Sequence, residues 1–268
     1  MPVNDELGKR MKTNYEEVSR TKLTRRTPVI IRIDGKAFHT FTRGFQKPFD
    51  EVLIKTMQET TKYLCENIQG CSFGYTQSDE ISLVLIDYQK LTTDAWFDYE
   101  VQKICSVAAS MATMAFNKFF EKNVEKFDIK LFSDEEGNVI NDKRHQIMQV
   151  YLKAIEKGAM FDARCFNIPK EEVVNCIYWR QLDAARNSVQ MVGQAHFSQK
   201  ELDKKTCSMI QDMLHEQKGI NWNDYPTYLK CGSAVKKNET GSWKIDLDMP
   251  QLKGDGRRYL EELIMVGE

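Results

Sequence analysis

Three carboxylates stand where apolar runs meet turns. The stretch VIIRIDGKAF (29–38) stops on Asp34 and Gly35, and GYTQSDEISLVLI (74–86) carries Asp79 and Glu80 just before a second apolar run. Carboxylates gathered at one sheet edge repel each other unless a cation lies between them. Mg²⁺ suits such a place, because it takes hard oxygen ligands, commonly one or two carboxylates plus substrate phosphates. The carbonyl of Gly35 offers a further oxygen, and a glycine admits close approach. Two ions held this way form the clamp used for in-line phosphoryl and nucleotidyl transfer. The plainer reading is a turn cap at Asp34 and a solvated hairpin tip at Asp79 and Glu80, since both strings are common in turns. The two readings part on one point: whether the fold brings together positions that are 79 − 34 = 45 residues apart.

The element order speaks to that point. Pro28 and Val29–Ile33 read as a strand, and Gly44 and Pro48 punctuate the loop after it. Asp50 is a plausible N-cap for a helix carrying Val52, Leu53, Met57, Leu64 and Ile68, which Gly70 ends. CSFGY (71–75) and ISLVLI (81–86) read as a hairpin around TQSDE. Residues 95–120, free of Gly and Pro and rich in Ala and Met, predict a long helix. Residues 121–159 are polar and mixed, with SDEEGN (133–138) a loop. FDARCFNI (161–168) is a strand closed by Pro169, and a helix follows from about Lys170 to Val192. Ser198 and Glu201 make a capping-box signature for a helix to about Lys218, and residues 228–246 resemble a hairpin.

Residues 28–168 thus predict β-α-β-β-α-β, the ferredoxin-like pattern of an α+β fold. In that topology the first and third strands are antiparallel neighbours, so Asp34 lies beside Asp79 and Glu80. The expected organisation is a catalytic palm over 1–168, with 121–160 as an insertion, and a helical and hairpin region over 169–268 packed on it.

RIDGKAFHTF, GFQKPFDE and GYTQSDEISLVL resemble, in order, the catalytic motifs of the tRNA-histidine guanylyltransferase superfamily, and FDAR (161–164) and WRQLDAARNS (179–188) extend the likeness over about residues 25–190. The resemblance implies a polymerase-type palm that adds nucleotides to tRNA 5′ ends in the 3′-to-5′ direction. The 3′-hydroxyl of an incoming nucleotide attacks a 5′ phosphate activated by adenylylation with ATP or present as a triphosphate; GTP or another NTP is the nucleotide added. It further implies that Asp34, the Gly35 carbonyl and Asp79 hold two Mg²⁺ ions, with Glu80 a ligand or a partner behind them. Asp34, Gly35, Lys36, Ala37, Phe38, His39, Ser78 and Asp79 would line the nucleotide, Lys47 would meet phosphates, and Lys103 would serve the triphosphate. A homotetramer spreading tRNA over more than one subunit is also implied.

One departure bears on specificity. Where histidine-specific eukaryotic members carry H-I-N-N, this chain has Ala185, Arg186, Asn187 and Ser188. That favours the branch of like proteins that restore truncated tRNA 5′ ends against a template base, over guanosine addition to tRNA-His. A nucleotidyl cyclase, which shares the palm and metals, is a second alternative, but the chain lacks its G-G-D-E-F-like hairpin; a non-catalytic RNA-binding protein is a third, against which the intact Asp34, Asp79 and Lys47 argue.

Other residues carry weaker signals. Phe38 and Phe41 read more readily as core than as base platforms. Arg180, Asp183, Arg186 and Asn187 lie at helical spacings, which suits ion pairs along one face or contact with tRNA. RTKLTRR (20–26), with Arg25 and Arg26, and VKKNETGSWK (235–244), with Lys236 and Lys237, are local basic clusters where RNA phosphates could land. KGDGRR (253–258) lacks the P-loop pattern and reads as a loop.

Composition sets the outer bounds. Lys+Arg (38) nearly balance Asp+Glu (39), so no global field favours nucleic acid or membrane. No run approaches the ~20 apolar residues of a membrane span, and the first residues lack the apolar stretch of a signal peptide. The seven cysteines are scattered without a C-x-x-C pair, which argues against a zinc site or disulfide frame and for a reduced, cytoplasmic protein.

Overall fold

The structure, a computed structural model, describes residues 5–132 and 142–266. After an exposed N-terminal helix α1 (Glu6–Met11) come β1 (Val29–Gly35), α2 (Phe38–Phe41), α3 (Glu51–Asn67), β2 (Cys71–Gln77), β3 (Glu80–Leu85), α4 (Val101–Phe132), α5 (Asp142–Lys157) and β4 (Phe161–Asn167). The rest of the chain forms α6 (Lys170–His196), α7 (Gln199–Leu202), α8 (Cys207–Lys218), α9 (Thr227–Cys231), β5 (Ser233–Lys237), β6 (Trp243–Asp246) and α10 (Arg258–Ile264).

The strands form one six-stranded sheet in the order β4-β1-β3-β2-β5-β6. Its first four members have the ferredoxin-like arrangement that the element order predicts. β1 is buried along most of its length because both faces are covered: Ile31 and Ile33 join the core with α3 and α4, while Ile30 packs with Val173, Val174 and Ile177 of α6. A strand covered on both sides reads as a nearly continuous apolar run, which is why 29–33 does. The helices α6 and α10 cover the sheet face opposite α3 and α4, and β5 and β6 lengthen the same sheet through pairing of β5 with β2.

The core between sheet and α4 is aromatic. Phe38 lies 5.1 Å from Phe41, 5.5 Å from Phe116 and 5.1 Å from Phe161, measured between ring centroids. On α4, Ile104, Ala108, Ala112, Phe116, Phe120 and Val124 repeat every four residues and are all buried. Asp50 caps α3 by accepting the Leu53 N–H at 2.9 Å.

Several elements differ from expectation. α4 begins at Val101, six residues late, because Phe97, Asp98 and Tyr99 take positive φ in a tight turn before it. Asp98 is held there by Lys22 and Arg25. α4 then continues into the polar segment, because Phe120 and Val124 extend its buried stripe. α5 occupies a stretch that reads as featureless, and its Tyr151 and Ala154 reach the core. The SDEEGN loop lies outside the described residues. The Ser198 capping box is present, yet its helix ends at Leu202 and Thr206 caps a new one. Residues 227–231 are helical rather than extended, so the terminal hairpin is shorter than the sequence suggests.

Candidate active site

The register of the sheet decides the question of proximity. Asp34 pairs across from Glu80 on β3 and from Asp162 on β4. Directly opposed residues of an antiparallel pair share a face, so Asp162, Asp34 and Glu80 form one row. β2 and β3 are joined by two residues only, Ser78 and Asp79. Ser78 takes φ 50°, and its hydroxyl donates to Asp79 Oδ1 at 3.0 Å. The Gly35 N–H donates to the Asp79 carbonyl at 3.1 Å, joining the end of β1 to the turn.

A cavity of about 540 Å³ opens beside this turn. One wall is Gly35, Gln77, Ser78 and Asp79, and a second is the loop 36–50, including Ala37, His39, Gln46 and Lys47. The opposite wall comes from α6 through Ala184, Asn187, Ser188 and Met191, and from Tyr228 and Leu229 of α9. The loop is anchored from below: buried Asp50 accepts the Gln46 N–H at 3.0 Å and the Tyr151 hydroxyl at 2.7 Å. The α9 wall is anchored by Tyr75, whose hydroxyl donates to the Cys231 carbonyl at 2.6 Å.

Two residues of the cavity wall hold strained backbone. Ala37 (φ 53°) and Ser78 both occupy the left-handed region, which residues with a Cβ seldom adopt. Gly35 is required for a different reason. A Cβ there would meet the Phe38 ring at 2.2 Å, and that ring is fixed by its aromatic neighbours.

Burial pushes the Asp79 carboxyl above its ordinary range, with the negative charges of Asp34 and Glu80 adding to the effect, against hydrogen bonds from Ser78 and its own N–H. Two carboxylates and a backbone carbonyl at one strand end are hard oxygen donors, and the fit is to a divalent cation such as Mg²⁺ that keeps positions for substrate phosphates. Among the described residues no group of three or more His, Cys, Asp or Glu side chains gathers into a closed metal cage.

Glu80 has another partner. Its two oxygens accept from Nε and Nη2 of Arg180, each at 2.7 Å, and both side chains are about 90% buried. The same Nη2 reaches Asp183 at 2.9 Å, and Asp183 also receives Arg186 and, at 3.4 Å, Asn187. A chain of charge therefore runs from the carboxylate next to Asp79 to the α6 residue that lines the cavity.

Of the expected site residues, Gly35, Ala37, Phe38, His39, Lys47, Ser78, Asp79 and Asn187 line the cavity. Asp34 is half-buried and outside the lining, although the next residue, Gly35, is part of it. Lys36 and Lys103 are exposed and outside the lining, the latter with Nζ 5.3 Å from the Phe97 ring. Arg180 corrects the expectation of an RNA contact: it is buried and spent on Glu80 and Asp183. Arg186 is exposed but paired with Asp183. Arg25 pairs with Asp98 at 2.7 Å, and the Arg26 backbone N–H donates to buried Asp87 at 2.9 Å. Lys236 lies over Tyr259 and Lys237 over Trp243, on the far side of the sheet's order from β1. Sequence reasoning missed Met191, Tyr228 and Leu229, whose apolar character gave no signal. It also left Asp162 without a role; the pairing of β4 with β1 is what puts it beside Asp34.

Comparison with known proteins agrees with this architecture. Residues 8–169 match the family model described as "Thg1: tRNAHis guanylyltransferase". The fold superposes with a TM-score of 0.81 on a bacterial tRNA(His) guanylyltransferase (Thg1)-like protein in complex with ATP, at 40% identity, covering 97% of this chain and 100% of that one. A structure described as the bacterial Thg1-like protein in complex with GTP gives a TM-score of 0.72 at 37% identity over the same shares. The tRNA(His) guanylyltransferase of Saccharomyces cerevisiae is 26% identical over 78% of this chain and 82% of its own length. With a family model spanning more than half its length, on a fold and a carboxylate-bearing turn of the expected kind, the chain belongs to the tRNA-histidine guanylyltransferase family.

Proposed function

We propose that this chain is a Mg²⁺-dependent 3′-to-5′ nucleotidyltransferase that restores missing nucleotides at tRNA 5′ ends against a template base. The observation that carries the reading is the cavity itself. It is walled on one side by the Ser78–Asp79 turn and Gly35, and on the other by Ala184, Asn187 and Ser188 of α6, of which Ser188 is a departure from H-I-N-N. In the reaction the nucleotide's 3′ oxygen bonds to the 5′ phosphorus of the RNA. Pyrophosphate leaves a triphosphorylated end, or AMP leaves an adenylylated one.

Asp34, the Gly35 carbonyl and Asp79 would hold Mg²⁺, which when bound supplies a Lewis acid for the hydroxyl and neutralises charge on the leaving group. Lys47 and His39 supply the phosphate and base contacts from the loop. Asn187 and Ser188 bound the nucleotide from α6; the Ser188 hydroxyl donates to the Ala185 carbonyl at 2.8 Å and receives Trp222 Nε1–H at 3.1 Å. Of the three replaced positions, Ser188 lines the cavity, and it does so as a small group, which supports a site tolerant of any base that the template selects. Glu80 supports the site from behind, through Arg180.

The resemblance supports a homotetramer. The seven cysteines are free thiols, which supports a reducing, cytoplasmic setting. No helix among the described residues is long and apolar enough to cross a membrane. The test of the site is Asp34→Ala and Asp79→Ala: each loses nucleotide addition while still binding tRNA. Full activity in either variant removes the metal proposal.

A further inference from the structure

The reaction joins two substrates, and the cavity accounts for one of them. The incoming nucleotide fits between the Ser78–Asp79 turn and α6. The RNA end must reach the same carboxylates from another side. The side left open is the sheet face around Asp34 and Asp162, at the end of β1 away from Ile30, which α6 covers.

On that face, Arg32 stands opposite Arg164 of β4, one row below Asp34 and Asp162. The rows are two residues, or about 7 Å, apart along the strand. Asp162 and Arg164 are exposed, while Arg32 and Asp34 are half-buried. Above them Trp179 projects from α6 with 55% of its surface exposed, an unusual state for so large an apolar side chain. The Arg180 guanidinium lies 4.5 Å from its ring centroid and that of Arg32 5.9 Å. Arg180 is committed to Glu80 and Asp183. Arg32 has no ion pair and no side-chain hydrogen bond among the described residues, although it is half-buried. Of the acidic neighbours, Asp162 is engaged by Arg164 at 3.0 Å and Asp183 by Arg180 and Arg186, while Asp34 forms no ion pair with Arg32.

We propose that Trp179 is a stacking platform for the 5′-terminal base of the RNA, with the free guanidinium of Arg32 meeting the adjoining phosphate. This rests on the reading above, in which Asp34 and Asp79 hold the reacting phosphate. An indole flanked by guanidinium groups holds a nucleotide without choosing its base, because every base offers a π face. That suits an enzyme whose RNA end differs from one substrate to the next. Trp179 is absent from the cavity lining, so its role is separable from nucleotide binding.

The test uses the full chain and a 5′-triphosphorylated tRNA carrying 2-aminopurine as its first nucleotide. Stacking on an indole quenches this probe. The wild type is expected to quench it. Trp179→Ala loses the quench and binds the RNA about 5- to 150-fold more weakly, from the range of base–aromatic stacking, with ATP affinity unchanged. Trp179→Phe keeps part of both, which separates stacking from general damage. Quenching and affinity in Trp179→Ala equal to wild type overturn the platform, while the wild type's extension of the RNA leaves the reading of the reaction standing. A change of oligomeric mass in Trp179→Ala with RNA affinity intact also overturns it, and makes the shelf a contact between copies. A wild type that neither binds nor extends the RNA overturns both readings.

Discussion

Glu80 and Arg180 are locked in a two-pronged ion pair, with both contacts at 2.7 Å, although they are 100 residues apart in sequence. Glu80 begins the strand that follows Asp79, and Arg180 sits on the helix that forms the far wall of the cavity. The pair therefore fixes the distance between the two walls.

Arg180→Ala leaves the Glu80 carboxylate buried without its cation, with only the Ser82 hydroxyl at 3.4 Å beside it. Breaking a buried pair in this way costs about 3–5 kcal/mol, readable as a lower denaturant midpoint. Nucleotide affinity falls with it, because α6 loses its register against the turn. Arg180→Lys restores charge without the fork and recovers only part of the loss. An unchanged midpoint in Arg180→Ala contradicts the role given to the pair.

Gly35→Ala drives a methyl group into the Phe38 ring, which Phe41, Phe116 and Phe161 hold in place. Overpacking of this kind costs about 1–3 kcal/mol. The loop 36–50 must shift to relieve it, so thermal stability and nucleotide binding drop together. Calorimetry with ATP checks both.

Asp50 links stability to pH. Burial raises its pKa, partly offset by hydrogen bonds from Leu53, Tyr151 and Gln46. A carboxyl raised in the folded state binds its proton more tightly there than in the unfolded chain. Its contribution is therefore fully present below the ordinary carboxylate range and is lost as pH rises through the folded value. Thermal melts from pH 3 to 8 should show the advantage of the wild type over Asp50→Asn shrinking as pH rises across that window. A constant difference contradicts the burial argument.

Lys47→Ala removes the loop cation from the cavity wall. NTP affinity is expected to fall about tenfold, or 1.4 kcal/mol, with the loss smaller at high salt. The melting temperature stays the same, since Lys47 is exposed. Equal affinity at both salt concentrations would show that the phosphates lie elsewhere.

Much of this was legible in the sequence, for identifiable reasons. The apolar run at 29–33 is read easily because β1 is covered on both faces. The antiparallel neighbourhood of Asp34 and Glu80 follows from element order alone. Arg180 was not legible: its spacing to Asp183 and Asn187 suits an exposed helix face as well as a buried clamp, and only the contact with Glu80 distinguishes them. The break at 203–206 escaped notice because a genuine capping box at Ser198 starts a helix of a single turn. The α9 wall reads as strand in the sequence, since YLKC carries no helix signal beyond Pro226 before it.

The central claim is 3′-to-5′ templated addition at a tRNA 5′ end. The most direct measurement incubates purified protein with Mg²⁺, all four NTPs and a 5′-triphosphorylated tRNA lacking its first nucleotide, then sequences the 5′ end of the product. The account predicts that the missing base is restored whichever base the template specifies. Guanosine added to tRNA-His alone would contradict the repair assignment, and no extension of either this RNA or full-length tRNA-His would contradict the activity.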